Sequence, residues 1–237
     1  MINPFVYLSV KLSRFSDVLR DRRICGISLG RFVPTPFSGS HGATGSQSIP
    51  YKGLEDIFEN VRLTPDDSFI DIGCGKGRVL AYMAERHVPC RLTGIELNPA
   101  VASIARRWSS SYSNIEIIEG NAFGLDLDKY TVLFMYRPME RETFGEFIVK
   151  LEHDVSHKIM LYYYADSESG FLLNGRRGWT LITRQTVYRK GGMYIHMEPQ
   201  RYSVWKYSPA DKNKDLNAFT APESGQSLPG CGRYSDR

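Results

Sequence analysis

Three glycines at alternate positions stand between an acidic residue and two basic residues in the segment IDIGCGKGRV, residues 70–79. The apolar residues before the glycines are typical of a strand, and the residues after them are typical of a helix. Such a turn lets the backbone approach a ligand closely, and the free N–H groups at the start of a helix favour negative charge. The segment therefore predicts a ligand-binding turn, with Gly73, Cys74, Gly75, Lys76 and Gly77 as its members.

The spacing of the glycines counts against a dinucleotide. The fingerprint G-x-G-x-x-G would place its third glycine at position 78, which is Arg78. Asp71, at the tip of the strand, would repel a pyrophosphate but would stabilise an ammonium or sulfonium group. S-adenosylmethionine has an amino-acid zwitterion and a sulfonium and lacks a phosphate. It therefore fits these residues better than NAD does.

Two later positions extend this interpretation. Glu96 ends the second predicted strand about 20 residues after the glycine turn, where an acid accepts hydrogen bonds from ribose hydroxyls. Asn121 follows the third predicted strand, and its side-chain amide can reach the edge of an adenine ring while Ala122 or Phe123 contacts the face of the ring.

Together, DIGCGKGR at 71–78, GIELNP at 94–99 and GNA at 120–122 resemble the class I S-adenosylmethionine-dependent methyltransferases. The resemblance extends over residues 54–164, and the first two motifs also resemble the branch related to the non-SET histone lysine methyltransferases. It implies S-adenosyl-L-methionine as the cofactor. The contacts that it implies are Asp71, Gly73, Cys74, Gly75, Lys76, Gly77, Glu96, Leu97, Asn121 and Ala122.

The elements that would position these residues alternate between strands and helices. Strands are predicted at 68–71, 91–96, 115–119, 131–136 and 158–164, and helices at 77–86, 99–109 and 141–151. This alternation predicts an α/β fold with a Rossmann-like, doubly wound, mostly parallel sheet of seven strands. Two β-rich runs around KGG, residues 190–192, predict an antiparallel C-terminal hairpin that closes the sheet.

The chain divides by composition into three parts. Residues 1–50 are predicted to form an N-terminal helix and a lid-like loop, residues 51–207 the methyltransferase domain, and residues 208–237 a flexible tail. In the N-terminal helix, apolar residues recur near helical spacing, and basic residues occupy other faces. We expect this helix to cover part of the core or the cofactor cleft, in preference to binding a membrane surface or a partner.

The overall composition favours no macromolecular partner. The net charge of +4 is mild, and no concentrated basic stripe indicates nucleic-acid binding. The four cysteines lack a spacing that suits zinc, so no metal is expected. No apolar run is long enough to span a membrane, and no signal-peptide layout begins the chain, so a cytoplasmic location is expected.

The segment FMYRPME, residues 134–140, follows the fourth predicted strand and would face the transferred methyl group. Methyltransferases of nitrogen substrates often place Asn or Asp, then Pro, then an aromatic residue here, whereas this chain has Arg137, Pro138 and Met139. An arginine cannot accept a hydrogen bond from an amine, and it suits a carboxylate, a phosphate or a developing oxyanion instead. The alternative is an ion pair between Arg137 and Glu140, Glu142 or another surface acid.

Two further residues are candidates for the chemistry. Tyr136 would line the methyl channel or form a hydrogen bond there, although a tyrosine at a strand end is often half-buried core. His41, in the loop SGSHGATGS, is the histidine that we nominate as a general base, and its alternative is an ordinary loop histidine.

The sequence therefore predicts a methyltransferase whose acceptor is unidentified, with a small molecule or an anionic substrate favoured over a protein side chain. Two other classes stay open. One is a non-catalytic cofactor-binding or interaction protein on the same fold, which the arginine at position 137 favours. The other is a nicotinamide-dependent oxidoreductase, against which the missing third glycine and Asp71 count.

Overall fold

The protein folds around one mixed sheet in the computed structural model, which describes residues 3–209. The strands are β1 (Ser68–Ile72), β2 (Arg91–Glu96), β3 (Ile115–Glu119), β4 (Val132–Tyr136), β5 (Ile159–Tyr164), β6 (Trp179–Val187), β7 (Arg189–Lys190), β8 (Met193–Tyr194) and β9 (Gln200–Tyr207). Seven of them form the sheet, in the order β3-β2-β1-β4-β5-β9-β6. Strands β1 to β5 are parallel, whereas β9 runs antiparallel to both β5 and β6.

Six α-helices flank the strands. They are α1 (Pro4–Cys25), α2 (Ser38–His41), α3 (Tyr51–Phe58), α4 (Arg78–Glu85), α5 (Pro99–Ser109) and α6 (Arg141–Asp154). One hydrophobic cluster contains residues of α3 and α4, and a second contains residues of α6. The predicted α/β fold with a doubly wound, mostly parallel seven-stranded sheet is confirmed. Strands β2 and β3 and helix α5 have the predicted bounds.

The order in which the strands are added to the sheet reverses between β1 and β4, which are parallel neighbours. The chain adds β2 and β3 on one side of β1, and then β4 and β5 on the other side. In open α/β sheets, ligands bind outside the carboxyl ends of the strands at this point. The glycine turn follows β1, and the segment with Tyr136 and Arg137 follows β4. The topology therefore brings the two motifs of the sequence to one crevice.

The C-terminal strands differ in one respect from the prediction. The turn at Gly191 and Gly192, both with positive φ, joins β7 to β8 in a separate two-stranded sheet. The strands that close the main sheet are the longer β6 and β9, which flank this small hairpin along the chain. Two consecutive residues with positive φ are what a type I′ turn requires, so the KGG segment specifies the small hairpin and not the sheet closure itself.

Helix α1 covers part of the domain with a mostly polar face. The buried residues of the helix are Val6, Ser9, Val10, Ser13, Asp17 and Asp21. The large apolar residues of the pattern face outward: Phe5, Leu8, Leu12, Phe15 and Leu19 are each more than half exposed. The helix therefore covers part of the domain, although not through the apolar residues that recur at helical spacing. Its inward face is anchored by hydrogen bonds and ion pairs.

The chain leaves the sheet at Tyr207, close to the predicted start of the tail. Ser208 is buried, and its backbone N–H donates to the Gly178 carbonyl at 2.9 Å. The rest of the predicted tail, residues 210–237, lies outside the described residues. Between residues 3 and 209, the longest helix, α1, and every other helix fall short of the length and apolar character needed to cross a membrane.

Candidate cofactor and acceptor site

The glycine turn after β1 has the backbone conformation that its sequence predicts. Gly73, Gly75 and Gly77 have φ values of 72°, 56° and 86°, in the left-handed region that side chains disfavour. A Cβ atom at Gly73 would lie 2.4 Å from the Pro138 Cβ, and one at Gly75 would lie 2.5 Å from the Ser46 Oγ. The turn therefore depends on glycine both for its conformation and for the close approach of its neighbours.

Glu96, at the carboxyl end of β2, holds this turn in place. Its two carboxylate oxygens accept hydrogen bonds from the backbone N–H groups of Gly75 and Asn98, both at 2.9 Å. Burial raises the pKa of Glu96, and these backbone donors oppose the rise. Because each carboxylate oxygen has two lone pairs, both oxygens can still accept from a ligand.

Asp71 is a buried carboxylate without a full set of partners. Only 2% of its surface is exposed, and its Oδ2 atom has no hydrogen-bond partner among the described residues. Burial and then the negative charge of Glu96 raise its pKa well above the ordinary value. Such a group is costly to bury unless a cation approaches it. Asp71 therefore marks a position where a positively charged ligand group would be stabilised.

A cleft of about 740 Å³, called here the main cleft, opens at the carboxyl ends of the strands. Seven of the predicted site residues line it: His41, Gly73, Glu96, Leu97, Asn121, Ala122 and Tyr136. The Asn121 Oδ1 atom accepts from the Phe123 N–H at 3.0 Å, which leaves the amide nitrogen as the donor toward the cleft.

The remaining residues of the turn lie beside or behind the main cleft. Asp71, Cys74, Gly75 and Lys76 line a smaller side pocket, which shares Gly73 and Tyr136 with the main cleft. Gly77 packs against the Trp108 ring, so its role in the structure is close packing between the turn and α5. The Lys76 ammonium group is near the Ser46 hydroxyl at 3.3 Å, and burial lowers its pKa to about 8.

The loop at 33–51 covers the turn and lies against the segment that follows β4. The Thr44 hydroxyl donates to the Arg137 carbonyl at 2.6 Å, and the Thr44 N–H donates to the Pro138 carbonyl at 3.0 Å. The Glu140 N–H in turn donates to the Gly42 carbonyl at 2.7 Å. Both carbonyls that precede Met139 are thus already hydrogen-bonded to the loop, a long-range contact that the sequence alone did not indicate.

The three residues proposed for the chemistry occupy different places. Tyr136 is half-buried and lines the main cleft. Burial raises the pKa of its hydroxyl, so the side chain is a neutral phenol. His41 is exposed on the short helix α2, where its Nδ1 lies 2.7 Å from the Ser40 hydroxyl. Arg137 does not line the main cleft. Its backbone has a φ of 36°, in the left-handed region. Its guanidinium forms an ion pair with Glu168, an acid that lies outside the segment 134–140.

Next to the main cleft lies a second depression, the polar groove, whose lining includes Tyr136, Arg137, Glu168, His196 and Gln200. Tyr136 and the loop residues Thr44, Gly45 and Gln47 line both depressions, so the groove and the cleft adjoin. A molecule in the groove would therefore meet a cofactor in the cleft beside the Tyr136 ring.

His196 is the functional candidate that the sequence reasoning missed. Its Nε2 atom lies 2.5 Å from the Tyr164 hydroxyl, and the Tyr164 ring packs edge-on against the Tyr136 ring. Burial, and secondarily the charge of Arg14, lowers the pKa of His196 to about 4. The imidazole is therefore neutral near pH 7. No motif surrounds this histidine in the sequence, because the fold alone brings it to the groove.

Comparison with known proteins agrees with this geometry. Residues 69–144 match a family model described as a methyltransferase domain, which spans the glycine turn and the ends of β1 to β4. Over these residues the chain matches the class I S-adenosylmethionine-dependent methyltransferase domain. Within residues 3–209, no group of three or more His, Cys, Asp or Glu residues is arranged to hold a metal ion.

Individual relatives of the methyltransferase domain are distant. The chain is 25% identical over 135 residues to a probable ribosomal RNA small subunit methyltransferase A of Methanosarcina acetivorans, covering 57% of this chain and 49% of that protein. It is 28% identical over 92 residues to a protein-lysine N-methyltransferase of Saccharolobus islandicus, covering 37% of this chain and 56% of that protein. The chain thus spans about half the length of these curated relatives.

The likeness to solved structures supports the fold of the chain. A crystal structure of a methyltransferase from Pyrococcus furiosus matches with a TM-score of 0.54 at 16% identity, covering 83% of this chain and 96% of that one. At this identity the match indicates a shared fold only. The fit of S-adenosylmethionine is supported separately by Asp71, because a buried carboxylate oxygen without a partner suits a cofactor that carries an ammonium and a sulfonium group.

Proposed function

We propose that the protein transfers the methyl group of S-adenosylmethionine to a small acceptor that binds in the polar groove. The observation that carries this proposal is the position of Tyr136, which lines both the main cleft and the polar groove. A methyl transfer needs its donor and acceptor in line across a short gap, from which water is excluded. The Tyr136 ring stands at the one boundary where the two depressions meet.

In this proposal the cofactor lies along the carboxyl ends of β1 to β3. Asp71 interacts with its ammonium or sulfonium group, and Glu96 accepts hydrogen bonds from its ribose hydroxyls. Asn121 donates its side-chain amide to the adenine ring, and Ala122 and Leu97 contact the ring or ribose. The buried Oδ2 atom of Asp71 and the unused lone pairs of Glu96 support these assignments.

The bound cofactor supplies an activated methyl group, so the residues of the chain have to orient the acceptor and remove one proton. His196 is the group that we assign to the proton. When its Nε2–H donates to the Tyr164 hydroxyl, Nδ1 carries the lone pair that can accept a proton from the acceptor. For a hydroxyl acceptor, the sulfur–methyl bond breaks as the oxygen–methyl bond forms, the hydroxyl proton goes to His196, and S-adenosylhomocysteine is the second product. An ionised carboxylate or phosphate acceptor has no proton to lose and needs only to be oriented.

The groove favours a small acceptor with an acidic group or a hydroxyl. Arg137 lies at the rim of the groove and is paired with Glu168. The Glu168 side chain is two-thirds exposed, so an acceptor anion that binds Arg137 more tightly can displace it. The position that holds an amine in the family motif is Arg137 here, and its guanidinium has donors but no acceptor. A free carboxylate, phosphate or hydroxyl is therefore a better match than an amine.

RNA is the second candidate acceptor, and the curated relatives favour it. Several of these relatives, including that of Methanosarcina acetivorans, are named as ribosomal RNA methyltransferases. The basic residues of α1 support RNA binding weakly, because Arg20 and Arg23 are already paired with Glu55 and Glu85. A protein lysine is the third candidate, on the likeness to the enzyme of Saccharolobus islandicus.

One assay separates these acceptors. The purified protein is incubated with methyl-labelled S-adenosylmethionine and separate pools of small carboxylates and phosphates, phenols, amines, unmodified ribosomal RNA and peptides. We expect label in the carboxylate, phosphate or phenol pools, and His196→Gln should lower the rate in the phenol pool, whose hydroxyl has a proton to lose. Label in RNA or peptides alone would contradict the small acceptor. Saturable binding without transfer to any pool would support instead the non-catalytic cofactor-binding protein.

A further inference from the structure

Helix α1 is built with its polar face toward the domain and its apolar face toward solvent. On the inward face, the Ser9 hydroxyl accepts from the Tyr194 N–H at 2.7 Å, and Asp21 pairs with Arg78 at 2.6 Å. On the outward face, the Phe5 and Phe15 side chains are 64% and 62% exposed. Helices of globular proteins usually bury their apolar side. The exposure of the large apolar residues of α1 therefore indicates that this side contacts a partner outside the domain.

The exposed apolar residues form one continuous stripe. Its members are Phe5, Leu8, Leu12, Phe15 and Leu19, which we call the apolar stripe. They recur at intervals of three and four residues, so they lie on one side of the helix along about 21 Å of its axis. Isolated exposed apolar residues are common on proteins, whereas an aligned row of large ones marks an interaction surface.

The charges beside the stripe are all positive. The exposed charged residues of α1 are Lys11, Arg14, Arg22 and Arg23, and the only two acids of the helix, Asp17 and Asp21, are buried. The surface that the helix offers thus combines an apolar stripe with cationic flanks. This combination is typical of helices that lie in the headgroup region of an anionic bilayer.

A second copy of the chain is a poorer match for the same surface. The spacing of the stripe would continue into position 22, so a pair of such helices would bring Arg22 into the contact. Lys11 would lie beside the seam in both copies, and the exposed face of α1 has no acid to compensate either cation. In a bilayer, by contrast, long basic side chains extend to the phosphate groups while their stems stay among apolar neighbours.

We propose that α1 docks the protein on an anionic lipid bilayer through the apolar stripe and its flanking cations. This proposal is independent of the proposed methyl acceptor. Docking would also place the bilayer near the acceptor side of the molecule. Arg14 and Val18 of α1 line one pocket together with Phe32 and His196, and Phe32 and His196 also belong to the rim of the polar groove.

The test is co-sedimentation of the full chain with vesicles of phosphatidylcholine alone or with one quarter phosphatidylglycerol. We expect at least tenfold tighter binding to the anionic vesicles. The variant Leu8→Ser/Leu12→Ser/Phe15→Ser should lose at least tenfold on them, and Lys11→Glu/Arg22→Glu should remove the preference for anionic lipid. The matched control Val149→Ser/Ile182→Ser, which changes two exposed apolar residues outside α1, should bind as the unchanged protein does.

Three outcomes would overturn the proposal. One is binding to neither vesicle, and another is an equal loss in the Val149/Ile182 control. The third is a dimer in light scattering that the stripe variant converts to a monomer without any vesicle binding, which would assign the stripe to a second copy. Circular dichroism and the unfolding temperature check that the variants fold. If the unchanged protein binds neither vesicle and the stripe variant has a lowered unfolding temperature, the chain's own remaining residues cover the stripe.

Discussion

The Arg78 guanidinium donates to both carboxylate oxygens of Asp21, with Nε–Oδ1 and Nη2–Oδ2 distances of 3.0 and 2.6 Å. Arg78 is the last residue of the motif GCGKGR and begins α4, whereas Asp21 lies in the last turns of α1. Both side chains are almost fully buried, and Asp21 also accepts from the Leu29 N–H at 2.8 Å. The pair therefore ties the N-terminal helix directly to the glycine turn.

Removing Asp21 should destabilise the protein strongly. In Asp21→Ala, the buried Arg78 would keep only Asp17 at 3.6 Å and the Ile49 carbonyl at 3.2 Å. Leaving a buried charge without its partner costs about 3–5 kcal/mol. Urea unfolding of the variant should show a loss of this size. The exposed ion pair of Asp126 and Lys129 gives the control, because Lys129→Ala should cost under about 1 kcal/mol. Equal losses in the two variants would contradict the prediction.

Replacing Asp71 by asparagine should weaken cofactor binding and stabilise the free protein. Burial raises the pKa of Asp71, so its ionised form is unfavourable in the folded state, and stability is lost as the pH rises above the unfolded value near 3.8. Asp71→Asn removes this loss. It should also reduce affinity for S-adenosylmethionine by about 1.5–3 kcal/mol, the scale of a hydrogen bond to a charged group.

Two measurements check the Asp71 prediction. Thermal unfolding at pH 7 should give a higher midpoint for Asp71→Asn, and calorimetric titration should give the weaker affinity. An equal loss for S-adenosylhomocysteine would indicate contact with the ammonium group, because that molecule lacks the sulfonium. A loss restricted to S-adenosylmethionine would indicate the sulfonium. Unchanged affinity for both would refute a role of Asp71 in binding.

Gly73 should tolerate alanine less well than a glycine with similar backbone geometry elsewhere. Gly73 and Gly175 have φ values of 72° and 67°, but only at Gly73 does a new Cβ meet a neighbour, the Pro138 Cβ at 2.4 Å. Gly175→Ala should therefore cost about 1–2 kcal/mol from its backbone alone. Gly73→Ala should cost more and should also weaken cofactor binding, because Pro138 must move. Chemical denaturation and calorimetry of both variants test this difference, and identical costs would exclude the contact as its cause.

The sequence predicted the elements and residues that local patterns specify. The alternation of apolar strands and helices gave β1 to β5 within one or two residues, and the glycine turn was found because only glycine suits its positive φ values. Glu96 and Asn121 line the same cleft because each follows a parallel strand, and the carboxyl ends of such strands meet at one edge.

The features that the sequence did not predict depend on contacts between residues far apart in the chain. Arg137 pairs with Glu168, 31 residues away, and Arg78 pairs with Asp21, 57 residues away. Neither partner has a local signal. The sequence did not indicate the orientation of α1, because the periodicity identifies an apolar side but does not say which side packs on the domain. In the structure the inward side carries the buried ion pair of Asp21.

His196 should account for a measurable part of the acid sensitivity of the fold. Its pKa falls from an ordinary value of 6.5 to about 4 on burial, so unfolding takes up a proton between these two pH values. Stability from this group is therefore complete above about pH 6.5 and is lost as the pH falls toward 4. His196→Gln should show a smaller decrease in the free energy of unfolding between pH 7 and 5 than the unchanged protein.

The same substitution should lower kcat by about 10²-fold or more if His196 takes the proton of the acceptor. His41→Gln is the matched control, because His41 is exposed at the main cleft. It should change neither the pH dependence nor kcat. If His41→Gln lowers kcat and His196→Gln does not, the base is His41, as the sequence suggested, and the role assigned to His196 is wrong.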